Sequence, residues 1–226
     1  MKSNFERARH PDEKALRRAH LLQTARVLLN DGADISSLSL NEIARRASMA
    51  KANTYRYFET REALLLALLW EEWQDWFKDF SEKPAQRMNL DTFVRHFASS
   101  IAKRTLLCAL TAVLASVLEK NISEDSIIEF KSGALTFFEL ISEHFNKCCP
   151  ELNTVGHMHL LHDTVSLITG LYPLTHPSPT VARVLQAPHL KFFKRNFLEE
   201  FERLLIASAR ELKTSQGASP VIGFPN

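Results

Sequence analysis

Glycine is scarce in this chain, with six in 226 residues, and two of those (Gly217 and Gly223) lie within the last ten. No glycine-rich phosphate loop is present. Abundant Leu, Ala, Glu, Lys and Arg then favour helix throughout, and no segment alternates apolar and polar residues over strand length. The expected fold class is all-α. Cysteine is also sparse: Cys108, Cys148 and Cys149 show no paired metal-ligand or disulfide spacing. An odd count points to reduced thiols and a cytoplasmic setting. Long hydrophobic runs are missing too. The longest, Leu106 to Leu118, has 13 residues, includes Thr111 and Ser116, and falls short of the roughly 20 that a bilayer needs. The opening MKSNFERARHPDEK has no apolar stretch, so a signal peptide is not expected.

Net charge is only +2, yet it is unevenly spread. Residues 1–61 hold twelve Lys or Arg against seven Asp or Glu, an excess of +5, while the remainder sums to −3. A basic head on a mildly acidic body suits a nucleic-acid-binding domain joined to a separate regulatory one.

Within that head, Ser39 to Arg61 reads SLNEIARRASMAKANTYRYFETR. Ser39 followed by Glu42 is a capping-box signature, predicting a helix from Leu40. Ile43, Ala44 and Ala47 make its apolar face, and the two alanines allow a second helix to approach closely. Ser48, Met49 and Ala50 form a turn, with Met49 expected as a buried plug. A second short helix is predicted over Lys51 to Tyr57, with Phe58 anchoring its end. This is a helix-turn-helix. Tyr55 and Tyr57 on a short exposed helix carry apolar rings whose hydroxyls need partners, and phosphate oxygens supply them.

The stretch resembles the DNA-binding domain of the TetR family of transcriptional repressors, over about residues 14 to 70. The resemblance is carried by Leu40-x-x-Ile43-Ala44-x-x-Ala47, by Tyr55-Arg56-Tyr57-Phe58, and by Thr60-Arg61-Glu62-Ala63-Leu64. Two positions depart from the pattern: Ser48 stands where the family usually has Gly, and Ala50 where it usually has a capping Ser. The resemblance implies phosphate contacts from Ser39, Tyr55, Arg56, Tyr57 and Arg61. Lys51 and Asn53 fall at the start of the second helix, where side chains reach base edges, Lys suiting guanine and Asn adenine. Ala52 is small enough to touch a thymine methyl, and Thr54 completes the expected DNA-binding set.

The rest reads as a run of helices. The first is expected from Asp12 to Asn30, with Leu21, Ala25 and Leu28 inward and Gly32 at its C-terminal cap. The fourth runs from Thr60 to Phe80 with an aromatic stripe, and the fifth follows Asp91. The sixth is the apolar run ending at Asn121, and the seventh goes from Ser123 towards Cys149. The eighth spans Asn153 to Tyr172, a short ninth starts at Ser178-Pro179, and a final one covers Leu190 to Leu212. Expected domains are therefore a helix-turn-helix domain at 1–60, a helical regulatory and dimerisation domain at 61–213, and a disordered tail at 214–226. The layout, and the Gly170-Leu171-Tyr172-Pro173-Leu174 run, again resemble the TetR family.

Trp73, Trp76, Phe93, Phe97, Leu107, Phe137 and Phe138 are candidates for a ligand pocket, with core packing as the competing role for each. The family layout places a homodimer interface on the eighth and final helices, with Phe193, Phe197, Phe201 and Leu205 as candidates. His157, His159 and His162 cluster without a convincing metal-ligand spacing, so no metal and no cofactor is expected. Glu71-Glu72 and Glu199-Glu200 are adjacent pairs that diverge around a helix, and no nucleophile stands out. An enzyme is not expected.

The resemblance implies a homodimeric repressor bound to a near-palindromic double-stranded operator and released by a small apolar or amphipathic effector, with no membrane partner. Two alternatives remain open at this point. One is a ligand-independent helix-turn-helix regulator controlled by a protein partner or its own level. The other is a helical enzyme or lipid-binding protein with a vestigial head.

Overall fold

The structure, a computed structural model, describes residues 6–82 and 84–216, with side chains from residue 13 onward. All regular structure among the described residues is helical: α1 (Glu6–Asn30), α2 (Leu40–Arg46), α3 (Lys51–Thr54), α4 (Arg61–Ser81), α5 (Leu90–Ala102), α6 (Thr105–Ala112), α7 (Glu124–Cys148), α8 (Thr154–Thr175), α9 (Pro179–Val184) and α10 (Phe197–Ser215). The chain forms two compact units. One holds residues up to Glu72 together with Val113–Ile127, and the other Trp73–Ala112 with residues from Ile128 onward. Helix α4 thus contributes its first half to one unit and its second half to the other.

The first unit is built on the stripe expected for α1. Leu21, Leu22 and Ala25 are fully buried, and Ile43, Ala44, Ala47 and Phe58 are buried on the following elements. Gly32 ends α1 with φ +96°, a conformation glycine adopts at no steric cost. Its N–H donates to the Leu29 carbonyl at 3.1 Å, and that of Ala33 to Leu28 at 3.0 Å, which is the paired pattern of a Schellman cap.

The second unit is organised around α10, which packs on both α5 and α8, with α6 against α8. Phe93, Val94, Phe97 and Ile101 bury the inward face of α5, as their spacing predicts. Its cap is Asn89 rather than Asp91: the Asn89 side chain accepts from the Thr92 N–H at 2.9 Å, and Asp91 pairs instead with Arg210.

Other boundaries differ from expectation for local reasons. Helix α6 ends at Ala112 and is followed by a π-helical turn over Leu114–Leu118, in which one residue too many is accommodated per turn. Helix α8 continues through Pro173 to Thr175. Proline forfeits one backbone bond there, but the Thr175 hydroxyl and the His176 N–H close the last turn on the Leu171 and Tyr172 carbonyls. Helix α10 starts at Phe197, because Asn196 accepts from the Glu199 N–H at 3.1 Å and so caps it. The residues before it, Pro188–Phe193, form a 3₁₀ turn that leaves Phe192 and Phe193 exposed. In the tail, Thr214 and Ser215 are still helical, and residues 217–226 lie outside the described residues.

Candidate nucleic-acid interface and body cavity

Helix α2 starts as expected. The Ser39 hydroxyl accepts the Glu42 N–H at 3.1 Å. The reciprocal half of the capping box does not form, because the Glu42 carboxylate turns to Arg45 and Arg46, at 2.6 and 3.2 Å, and is held below its ordinary pKa chiefly by Arg45. At the end of α2, Ser48 has φ +53°. Its N–H donates to Arg45 at 3.2 Å and the Met49 N–H to Ala44 at 2.9 Å, the same paired cap seen at Gly32. The turn therefore has the geometry glycine favours, imposed here on serine. Met49 is half-buried rather than a fully enclosed plug.

Helix α3 is short. Ala50 occupies its N-cap with no side-chain hydrogen bond, and the regular helix covers Lys51–Thr54. It does not reach Tyr57 as a regular helix. The chain beyond is held by tighter turns, Arg56 N–H to Asn53 and Tyr57 N–H to Thr54, at 3.1 and 3.0 Å. Lys51, Ala52, Asn53, Tyr55 and Arg56 are all exposed, and Tyr57 is half-buried. Arg17 on α1 lies beside this edge. It is bonded to Glu13 at 2.5 Å, and its pKa is raised mainly by that carboxylate, with a smaller contribution from the Tyr57 hydroxyl.

Two of the expected DNA contacts are placed differently. Thr54 is fully buried, with its hydroxyl directed to the Ala50 carbonyl at 3.4 Å, because its position on α3 faces the packing core rather than the groove side. Arg61 is half-buried at the start of α4. It donates to the Ser36 carbonyl at 2.6 Å and to Leu38 at 3.3 Å, and it pairs with Glu62 at 2.7 Å. Its guanidinium thus ties together the loop before α2, which single-sequence spacing could not reveal.

The second unit contains a cavity of about 500 Å³, lined by the end of α4 (Trp76, Asp79, Phe80), the connector after it (Pro84, Ala85, Gln86, Met88), α5 (His96, Ser100) with Lys103 and Arg104 just beyond its end, and His144 and Cys148 of α7. Its size is in the range of small-molecule sites. Of the expected pocket residues, Trp76 borders it, its indole N–H donating to Ser100 at 2.9 Å. Phe93, Phe97 and Leu107 have no accessible surface and serve as packing, since a ligand has no face of them to touch. Trp73 is buried edge-on against Trp76, and Phe137 stacks edge-on against Phe77, while Phe138 is half-buried. The remaining lining residues come from four separate segments, and no local pattern singles them out.

The dimer candidates need a firmer correction. Phe201 and Leu205 are completely buried and Phe197 nearly so, because that face of α10 packs on α5 and α8 of the same chain. Phe193 is 60% exposed, but it lies in the 3₁₀ turn and not on α10. The histidines do not converge. His157 is buried, its ring Nε2 at 3.0 Å from the Cys149 carbonyl, whereas His162 is exposed beside Asp163. Burial pushes the Cys108 thiol up to about 12 and raises those of Cys148 and Cys149, as expected for inert buried thiols.

Residues 21–68 match the family described as bacterial regulatory proteins, tetR family, and residues 70–215 match the tetracyclin repressor-like C-terminal domain. The chain belongs to the TetR family. It is a DNA-binding transcriptional regulator, with the helix-turn-helix and helical C-terminal domains of that family. Among curated proteins, none matches the chain. No helix of the described residues in this TetR-family regulator is long and apolar enough to cross a membrane.

Proposed function

We propose that this TetR-family protein is a homodimeric repressor that holds a near-palindromic operator and releases it when a small molecule occupies the body. The observation that carries the DNA-binding side is the exposed polar edge formed by α3 and the turn that follows it. Lys51, Asn53, Tyr55 and Arg56 project from a turn whose opposite side is fixed by buried Ile43, Ala44, Thr54 and Phe58. A rigid backing of this kind sets the register of phosphate contacts, which Ser39, Tyr55, Arg56 and Tyr57 make, while Lys51, Ala52 and Asn53 face bases.

Dimerisation proceeds through the outward faces of α8 and α10, not through the buried phenylalanines. On α8 the exposed positions Val155, His162, Ser166, Gly170 and Leu174 recur at helical spacing and form one stripe. Two heads related by a two-fold axis then meet half-sites about one DNA turn, roughly 34 Å, apart or a multiple of it.

The effector acts by preferring the state in which the heads do not fit the operator, since equal affinity for both states shifts nothing. Helices α4 and α7 contribute residues to both units and supply the covalent route for that coupling. The test is selection of operator fragments by the purified protein, followed by binding of Tyr57→Ala and Lys51→Ala. Loss of affinity on all sequences for the first, and relaxed preference at one base position for the second, supports the reading. Wild-type binding by both overturns it.

A further inference from the structure

The cavity beside Trp76 has a composition that specifies more than an apolar occupant. Its walls are aromatic: the Phe80 ring lies 5.4 Å from Trp76, 5.3 Å from His96 and 6.0 Å from His144, centroid to centroid. The indole is fixed by its bond to Ser100, whose hydroxyl in turn donates to the Phe97 carbonyl at 2.7 Å. The connector that closes one side is pinned at Met88, whose N–H donates to the Cys148 carbonyl at 2.8 Å, and at Leu90, whose N–H donates to the Glu151 carboxylate at 2.8 Å. The half-buried Phe80 ring, backed by the enclosed Trp76 indole and flanked by the His96 and His144 imidazoles, suits a planar ring system, because ring faces and edges supply offset and edge-on contacts.

The charges are uneven. Asp79 is the one carboxylate among the described lining residues, and it is engaged by Arg104, which also donates to the Asp75 carbonyl at 3.3 Å. Lys103, the C-cap of α5, borders the same cavity, is exposed, and forms no ion pair with a described carboxylate. Burial lowers the pKa of His144, with Lys147 adding to the effect, so that imidazole stays neutral at pH 7 and contributes polarity without charge. The cavity therefore carries one uncompensated cation and no uncompensated anion among the described residues.

We propose that the effector is a planar aromatic carboxylate, its rings against Phe80 and the flanking His96 and His144 imidazoles and its carboxylate on the Lys103 ammonium. The proposal rests on the reading of the body as an effector-binding unit, and it turns the broad class of apolar or amphipathic ligands into one with a sign. A cationic amphiphile meets Lys103 and Arg104 with no free carboxylate to receive it, and a neutral ring compound leaves Lys103 unused.

The test uses the full-length protein and three probes of one shape: naphthylacetate, the neutral naphthylacetamide and the cationic naphthylethylammonium, titrated by calorimetry. Naphthylacetate is expected to bind roughly tenfold or more tighter than the amide, as one charge-assisted contact at a cavity mouth provides, with the ammonium weakest. Lys103→Gln should bring the carboxylate to the affinity of the amide while leaving the amide unchanged, which also shows that the variant is folded. Equal or tighter binding of the amide or the ammonium overturns the proposal. So does a carboxylate preference that survives Lys103→Gln, or the absence of binding by all three at millimolar concentration. Operator affinity is measured in parallel. Lys103-dependent binding with unchanged operator affinity supports the site and overturns only its role as the switch for DNA release.

Discussion

The Arg61 guanidinium donates to the Ser36 carbonyl oxygen at 2.6 Å, joining the first residue of α4 to the loop that leads into α2. The same group reaches Leu38 and balances the buried Glu62 carboxylate. A residue expected at the DNA thus holds the helix-turn-helix together from behind. Arg61→Ala is expected to lower the unfolding free energy by about 1.5–3 kcal/mol, the range for hydrogen bonds to charged groups. Denaturant unfolding measures this. Unchanged stability with weakened operator binding would return Arg61 to the phosphate-contact set.

Ser48 closes α2 in a left-handed conformation, which costs a residue with a Cβ about 1–2 kcal/mol. Ser48→Gly should therefore stabilise the protein by about 1 kcal/mol, reduced by the greater freedom glycine has when unfolded. Thermal unfolding shows the sign directly, and a lowered midpoint refutes it. Ala50→Ser should add a second increment of about 1 kcal/mol by supplying the missing cap of α3.

Phe201 has no accessible surface and stacks on Phe197, with ring centroids 5.1 Å apart. Phe201→Ala is expected to cost about 3–5 kcal/mol as a core truncation, whatever the oligomeric state. The dimer is tested elsewhere, by Gly170→Arg on the exposed face of α8, where an added Cβ meets nothing within 4 Å. Light scattering should then report a folded monomer. A dimer of undiminished stability would place the interface on another surface.

His157 is buried, and desolvation lowers its pKa to about 4 from an ordinary 6.5. The folded ring stays neutral, its Nε2–H donating to the Cys149 carbonyl, while the unfolded ring takes a proton below about pH 6.5. Stability from this group is therefore complete above pH 6.5 and is lost as pH falls towards 4, by an amount on the order of 3 kcal/mol. His157→Gln should flatten that part of the pH–stability curve. An unchanged slope between pH 6.5 and 4 would assign it to other groups.

The sequence by itself determined the helical class, the family and several of the local caps, though not Asn89 or Asn196. Helix periodicity, Ser39, Gly32 and Ser178-Pro179 act within a few residues, so their effects are legible without knowing what packs where. It also placed Lys51, Asn53, Tyr55 and Arg56 on an exposed face, because charged and polar groups there have no local partner to compensate burial, although it put the buried Thr54 in the same set. Only the tertiary structure decided the rest. An apolar face such as Phe197–Leu205 reads the same whether it meets its own chain or a partner, and here α5 and α8 take it. The Arg61 staple and the Trp76–Lys103 cavity join residues far apart in the chain, and no local spacing encodes which distant segments will meet.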